Sequence, residues 1–254
     1  MLEIMKSIIV LFLAIGMETI DSSLGMMYGT ILSPVLILAY FDPKDVVPAI
    51  LLSQAIGGFL ATYHHHKFGN AEFSLKSNDL RIAILIVVLG TIAVGIGAYV
   101  GNIIPVIYLK SYIAVLCLLM GTIVLLKRKF RFSWIKISIM SIVSSFNKAL
   151  SGGGFGPIVA TGNIASGVEA KKAIGITDFA EAPICIIAFG LWFWFSGFNL
   201  PPFNLLVPLC IGSAIGGLIG PFILFKAKSK KMLTIVVGIM AIISGLFIIL
   251  KIIM

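Results

Sequence analysis

The sequence is short of charge. Only 11% of its 254 residues are Asp, Glu, Lys or Arg, and 10 of these are acidic. A soluble domain of this length carries about 25%. Histidine is equally scarce, and all three residues are consecutive, His64, His65 and His66. Three adjacent residues cannot share one helix face, so the run reads as a solvated helix end and not as a metal site. The three cysteines, Cys117, Cys185 and Cys210, lie in apolar runs. They read as small core residues, with no disulfide or metal set among them. No GxxxxGK[ST] phosphate loop occurs, so ATP hydrolysis on this chain is not expected, and no cofactor is implied. No polar stretch is long enough for a separate soluble domain.

What is present in quantity is apolar: 59% of the residues are hydrophobic, and the mean hydropathy is +1.13. Only helices or closed barrels satisfy their backbone in lipid. Barrel strands alternate in segments of about 10 residues, whereas these runs are continuous. The chain therefore reads as an all-α membrane protein, a polytopic helical bundle forming one integral domain over residues 1–254. Ten apolar elements are predicted, at 5–22, 24–41, 46–63, 81–100, 110–126, 133–150, 154–168, 173–196, 204–225 and 232–253. The first, MLEIMKSIIV onward, contains Glu3 and no small-residue cleavage site, and is read as a retained helix. A full span needs about 20 residues. The second and seventh elements are shorter and carry Pro34 and Pro157. Each reads as a half-membrane helix, broken or re-entrant, paired with the element before it.

The net charge of +9 does not indicate nucleic acid here, because the basic residues sit in short turns between apolar runs. Lys67, Lys76 and Arg81 follow the third element. Lys127, Arg128, Lys129, Arg131 and Lys136 surround the turn from fifth to sixth. Lys171 and Lys172 precede the eighth, and Lys226, Lys228, Lys230 and Lys231 the tenth. All these fall on one side of a ten-element model. The other side holds only Lys6, Lys44, Lys110 and Lys251. The positive-inside rule makes the first side cytoplasmic, with both termini outside and the chain multi-pass in the cytoplasmic membrane.

The halves, approximately 5–126 and 133–253, resemble each other. METIDSSLGMMYGTILSP lies against FNKALSGGGFGPIVATG, setting Ser22 on Ser151 and Gly25 on Gly154. GIGAYVG lies against AIGGLIG, setting Gly97 on Gly216 and Gly101 on Gly220. Each half has an odd number of crossings on either count, so two inverted-topology repeats are expected. Interrupted segments at matching places in such repeats point to a transporter with its site at their interface.

The second interruption is the most concentrated signal. Gly152, Gly153 and Gly154 are consecutive and are followed by Phe155, Gly156 and Pro157. Gly costs about 1 kcal/mol and Pro about 3 kcal/mol in a helix interior. Lys148 stands just before the run. A glycine turn opening a helix presents free amides to an anion, and Lys148 adds a full charge. Asn147, Ser151, Thr161, Asn163, Ser22, Ser23 and Tyr28 could donate to its oxygens, with Gly25 at the facing break. A small oxyanion is the substrate class expected. The bland alternative is that the glycines turn a hairpin while Lys148 pairs with Glu18 or Asp21. Four acids lie within apolar elements, Glu18 and Asp21 before the first break and Asp178 and Glu181 after the second. Each pair is spaced i, i+3 on one helix face. Their combined charge would repel an anion, so either some are protonated or they lie away from the substrate. A coupling proton or cation is one use for them.

With these residues assembled, the chain resembles the TauE/SafE family of membrane transporters. The likeness rests on ETIDSSLGMMYGTILSP with DVVPAILLSQ, and on SGGGFGP with KKAIGITDFAEAP. Ser22, Ser23 and Met26 stand where the family often has glycine. The resemblance implies a multi-pass carrier for sulfite, sulfonates or related organic acids, with a lipid bilayer and a small anion as partners and no catalytic residue. Two other readings remain open at this point. One is a carrier of another solute, including a cation held by the four acids. The other is an intramembrane hydrolase with Ser151 as nucleophile, for which only Lys148 stands near as a base.

Overall fold

In the computed structural model, residues 2–126, 133–226 and 231–253 are described, and every regular element among them is a helix. Part of the basic side, Lys127, Arg128, Lys129, Arg131, Lys228, Lys230 and the Lys231 side chain, lies outside the described residues and side chains. The helices are α1 (Leu2–Leu24), α2 (Tyr28–Leu38), α3 (Pro43–Lys67), α4 (Asn78–Ile103), α5 (Val106–Leu126), α6 (Trp134–Ser151), α7 (Phe155–Ala165), α8 (Ala170–Phe195), α9 (Phe203–Lys226) and α10 (Lys231–Ile253). Each predicted element has its helix.

Local chemistry explains the boundaries. Asp42 accepts the Lys44 N–H at 2.8 Å, with Pro43 in the first turn, and so starts α3. Ser77 accepts the Leu80 N–H at 3.2 Å and starts α4. Helices α3, α4, α8 and α9 are each long and apolar enough to cross a membrane. Helices α2 and α7 have 11 residues each. At 1.5 Å per residue that is about 16 Å, roughly half the thickness of a bilayer core.

The packing is ordered by small residues. α1 runs along α9 and α6 along α4, α3 lies between α8 and α9, α8 also meets α4, and α5 pairs with α10. A Cβ on Gly97 would stand 2.7 Å from the Phe146 carbonyl oxygen, and one on Gly220 would stand 2.8 Å from that of Thr19. These glycines let the backbones of α4 and α6, and of α9 and α1, approach closely. Gly190 on α8 has nothing within 4 Å of a built Cβ. Gly190→Ala should therefore raise stability by up to about 1 kcal/mol, while Gly97→Ala lowers it. Thermal unfolding in detergent checks both.

The bundle is apolar outside and charged inside. Ile84, Val88, Ile92 and Ile96 line the exposed face of α4, and Ile135, Ile139 and Ile142 that of α6. Trp134 and Trp194 are also exposed, whereas Trp192 is buried and donates its ring N–H to the Ala149 carbonyl at 2.7 Å, tying α8 to α6. Glu18, Asp21, His65, Lys148, Asp178 and Glu181 are all buried. Water-soluble proteins show the reverse pattern.

Candidate functional site

Two helix breaks form the framework. α1 stops at Leu24 and α2 starts at Tyr28; α6 stops at Ser151 and α7 starts at Phe155. The first and third residues of each break are left-handed: Gly25 (φ +73°) and Met27 (φ +108°), then Gly152 (φ +74°) and Gly154 (φ +81°). Glycine adopts that conformation freely and Met27 does not.

The breaks press together, backbone on backbone. A Cβ on Gly29 would lie 1.6 Å from the Gly152 carbonyl oxygen, one on Gly153 2.9 Å from Thr30 Cα, and one on Gly156 2.6 Å from the Gly25 carbonyl oxygen. Hydrogen bonds cross the same contact. The Gly154 N–H donates to Thr30 Oγ1 at 2.9 Å, and Ser33 Oγ donates to the Ser151 carbonyl at 3.1 Å.

The expected cradle is brought together, but its polar groups face protein partners. The Gly152 N–H donates to the Lys148 carbonyl at 2.8 Å, and the Gly153 N–H to Ser151 Oγ at 3.2 Å. Ser151 Oγ donates to the Asn147 carbonyl at 2.7 Å, Ser22 Oγ to the Glu18 carbonyl at 2.7 Å and Ser23 Oγ to the Ile20 carbonyl at 3.0 Å. Tyr112 donates to Asn147 Oδ1. Tyr28 and Ser53 share a hydroxyl bond of 2.9 Å, Thr161 donates to the Pro157 carbonyl, and Phe155 is part of the apolar core. Asn163 differs: it is buried, and neither side-chain amide atom has a partner.

At the centre four side chains from four helices are linked. Lys148, in the last turn of α6, places Nζ 2.8 Å from Glu181 Oε1 of α8 and donates to Gln54 Oε1 of α3. Gln54 Nε2 donates to Asp21 Oδ2 of α1 at 2.9 Å. Asp21 Oδ1 accepts the backbone N–H of Tyr28 at 2.7 Å, so this carboxylate also caps α2. One oxygen each of Asp21, Asp178 and Glu181 lie within 4.8 Å of one another. The partner of Lys148 is thus Glu181, not Glu18 or Asp21.

Two participants fall outside the sequence expectation. His65 is not solvated: it is 0% exposed, and its Nε2 lies 2.9 Å from Asp178 Oδ2. Asn70 Nδ2 lies 3.1 Å from His65 Nδ1 and donates to the Pro221 carbonyl of α9 at 2.9 Å. His64 and His66 stay towards the surface, as expected of a helix end. Gln54 is the second. Gln54, Gly57, Gly58, Ala61 and His65 recur at helical spacing on one face of α3. That small-and-polar stripe in an apolar span is the signal that finds both.

A bundle with an apolar exterior and charges gathered at two helix breaks defines an integral membrane protein of the helical class. Residues 8–248 match the family model described as sulfite exporter TauE/SafE, and the chain belongs to that family. It is also 27% identical over 195 residues to "Probable membrane transporter protein YtnM" of Bacillus subtilis (strain 168). The matched region is 72% of this chain and 63% of that relative, so the chain spans less than two thirds of the relative's length. No solved structure matches.

Proposed function

We propose that the chain is a secondary transporter of a small oxyanion, such as sulfite or a sulfonate, with its site at the two helix breaks. The observation that carries this reading is Lys148. Its ammonium group is 1% exposed and has one carboxylate and one neutral amide as side-chain partners. The Glu181 carboxylate occupies the place an oxyanion would take. An incoming sulfite or sulfonate displaces Glu181 from Nζ and takes the amides now bonded to Ser151 Oγ and Thr30 Oγ1. Sulfur as the substrate element is suggested by the description of the matched family.

The scaffold is read as two inverted repeats facing each other across the cytoplasmic membrane. Basic turns are placed on the cytoplasmic side and both termini outside. Several features support the repeat. Leu24 and Ser151, which end α1 and α6, are 127 residues apart, as are Tyr28 and Phe155, which start α2 and α7. This register differs from the Ser22–Ser151 pairing suggested by letters alone, because the left-handed residues pair Gly25 with Gly152 and Met27 with Gly154. It also pairs Asp21 with Lys148 and Gln54 with Glu181. Gly97 meets the Phe146 carbonyl and Ala149 Cβ, and Gly220 meets the Thr19 carbonyl and Ser22 Cβ. Gly97 therefore answers to Gly220, one helical turn from the Gly216 suggested by sequence matching.

The test is flux into proteoliposomes with sulfite, sulfate, thiosulfate and a sulfonate, each offered alone. Saturable flux of at least one is expected. Flux of none removes the oxyanion reading. A second reading, transport of a cation as cargo, has one observation in its favour, the three converging carboxylates. Cation flux without any anion flux would select it. Ser151 as a nucleophile finds no support, since its hydroxyl donates to a backbone carbonyl and Lys148 is held by Glu181 and Gln54.

A further inference from the structure

We propose that Glu18, Ser213 and the carbonyl of Gly217 bind a sodium ion where α1, α3 and α9 cross, beside the Lys148 centre and separate from it. The proposal goes beyond the anion reading and does not rest on it.

Two orphaned polar atoms mark the place. Glu18 is 1% exposed, and its Oε2 has no hydrogen-bond partner; Ser213 is 0% exposed, and its Oγ has none. Both side chains converge on Gly57 of α3. The position a Cβ would take there is 2.1 Å from Ser213 Oγ and 2.7 Å from Glu18 Oε1. Glycine at 57 keeps that space clear of a side chain.

Pro221, inside the continuous helix α9, frees a third oxygen. Proline has no N–H, so the carbonyl of Gly217 loses its usual i+4 donor. Gly217 lies one turn after Ser213, hence on the same face of α9. It is packed on Gly57, since a Cβ on it would be 2.4 Å from the Gly57 carbonyl oxygen. One carboxylate, one hydroxyl and one backbone carbonyl make an all-oxygen ligand set, which suits a hard cation. A single carboxylate matches a single positive charge. Backbone carbonyls freed from their helical donors also coordinate sodium in transporters.

The remaining acids are engaged elsewhere. Asp21 accepts from Gln54 and the Tyr28 N–H, Glu181 from Lys148, and Asp178 lies against His65. The matching crossing in the other half lacks the site. In the 127-residue register Glu18 answers to Ser145 and Gly57 to Ile184. There a Cβ on Gly90 would meet Ser145 Oγ at 2.2 Å and Ile184 Cδ1 at 3.1 Å. Ser145 Oγ is also unpartnered, but no carboxylate accompanies it, and an isoleucine replaces the glycine. Among the described residues the geometry gives one such site.

The test uses the purified full chain in detergent, with NaCl, KCl or choline chloride at constant ionic strength. Its thermal midpoint should rise saturably with sodium and not with choline. Ser213→Ala should weaken the apparent sodium affinity at least about tenfold, and Glu18→Gln should abolish the shift. Ser145→Ala should leave it unchanged. An equal shift in choline chloride, or none in any salt, overturns the site. A sodium shift that survives Ser213→Ala overturns it too, and that variant decides the matter if Glu18→Gln does not fold. No transported anion is needed for the readout, so failure of the oxyanion reading and failure of this one are separately visible.

Discussion

Lys148→Ala is expected to abolish anion flux and to cost about 3–5 kcal/mol of stability, the usual penalty for removing one partner of a buried ion pair. The cost arises from what remains. Glu181 loses the ammonium 2.8 Å away, and Gln54 loses the donor to its oxygen. The carboxylates within 4.8 Å of one another then face each other without a cation between them. A domain stable by about 5–15 kcal/mol survives this narrowly or not at all. The double change Lys148→Ala with Glu181→Gln removes charge from both sides and should recover part of the stability, but no flux. Unfolding in denaturant and proteoliposome flux, measured on the single and double variants, separate the two roles. A Lys148→Ala variant that transports at the wild-type rate would remove this residue from the site.

Gly29→Ala should be as damaging for a different reason. Its Cβ would lie 1.6 Å from the Gly152 carbonyl oxygen and 2.7 Å from the carbonyl carbon. Both are backbone atoms, so no rotamer change relieves the clash. The two breaks must separate, taking with them the Gly154–Thr30 and Ser33–Ser151 bonds. Overpacking typically costs about 1–3 kcal/mol where side chains can yield, and here they cannot. The expected result is little folded protein in detergent. Gly16→Ala, on α1 with nothing within 4 Å, is the matched control and should behave as wild type. Equal yield and melting temperature for the two variants would show that the close approach does not constrain the fold.

The helices were legible because hydropathy is a long-range pattern that survives errors of a few residues. The breaks were legible because glycine and proline carry backbone meaning wherever they occur. Side-chain partners were not. Lys148 stood out as a cation in an apolar stretch, yet its pairing with Glu181 depends on how α6 and α8 cross, and spacing along one helix holds no such information. His65 is hidden from sequence reading by its neighbours, His64 and His66, which behave as surface residues. Adjacent positions point about 100° apart on a helix, and only the middle residue turns towards Asp178. Gln54 carries no charge to mark it in an apolar span, although a neutral amide is what can donate to Asp21 and accept from Lys148 at once. The cradle amides look open in the sequence, which does not reveal that the Lys148 carbonyl and Ser151 Oγ of the same break, and Thr30 Oγ1 of the other, fill them.

The four linked side chains have a further consequence when the two halves are taken as diverged copies. A ring built from the second half twice over would alternate lysine, glutamate, lysine, glutamate. Each ammonium would then be clasped by two carboxylates, and the ring would be neutral and self-satisfied, a plug with nothing left to offer a solute. A ring built from the first half twice would hold two aspartates and no cation. Only the hybrid leaves one ammonium flanked by an uncharged amide on one side. On the proposed reading, divergence between the halves would have replaced a lysine paired on both sides by one with a carboxylate on one side and an amide on the other.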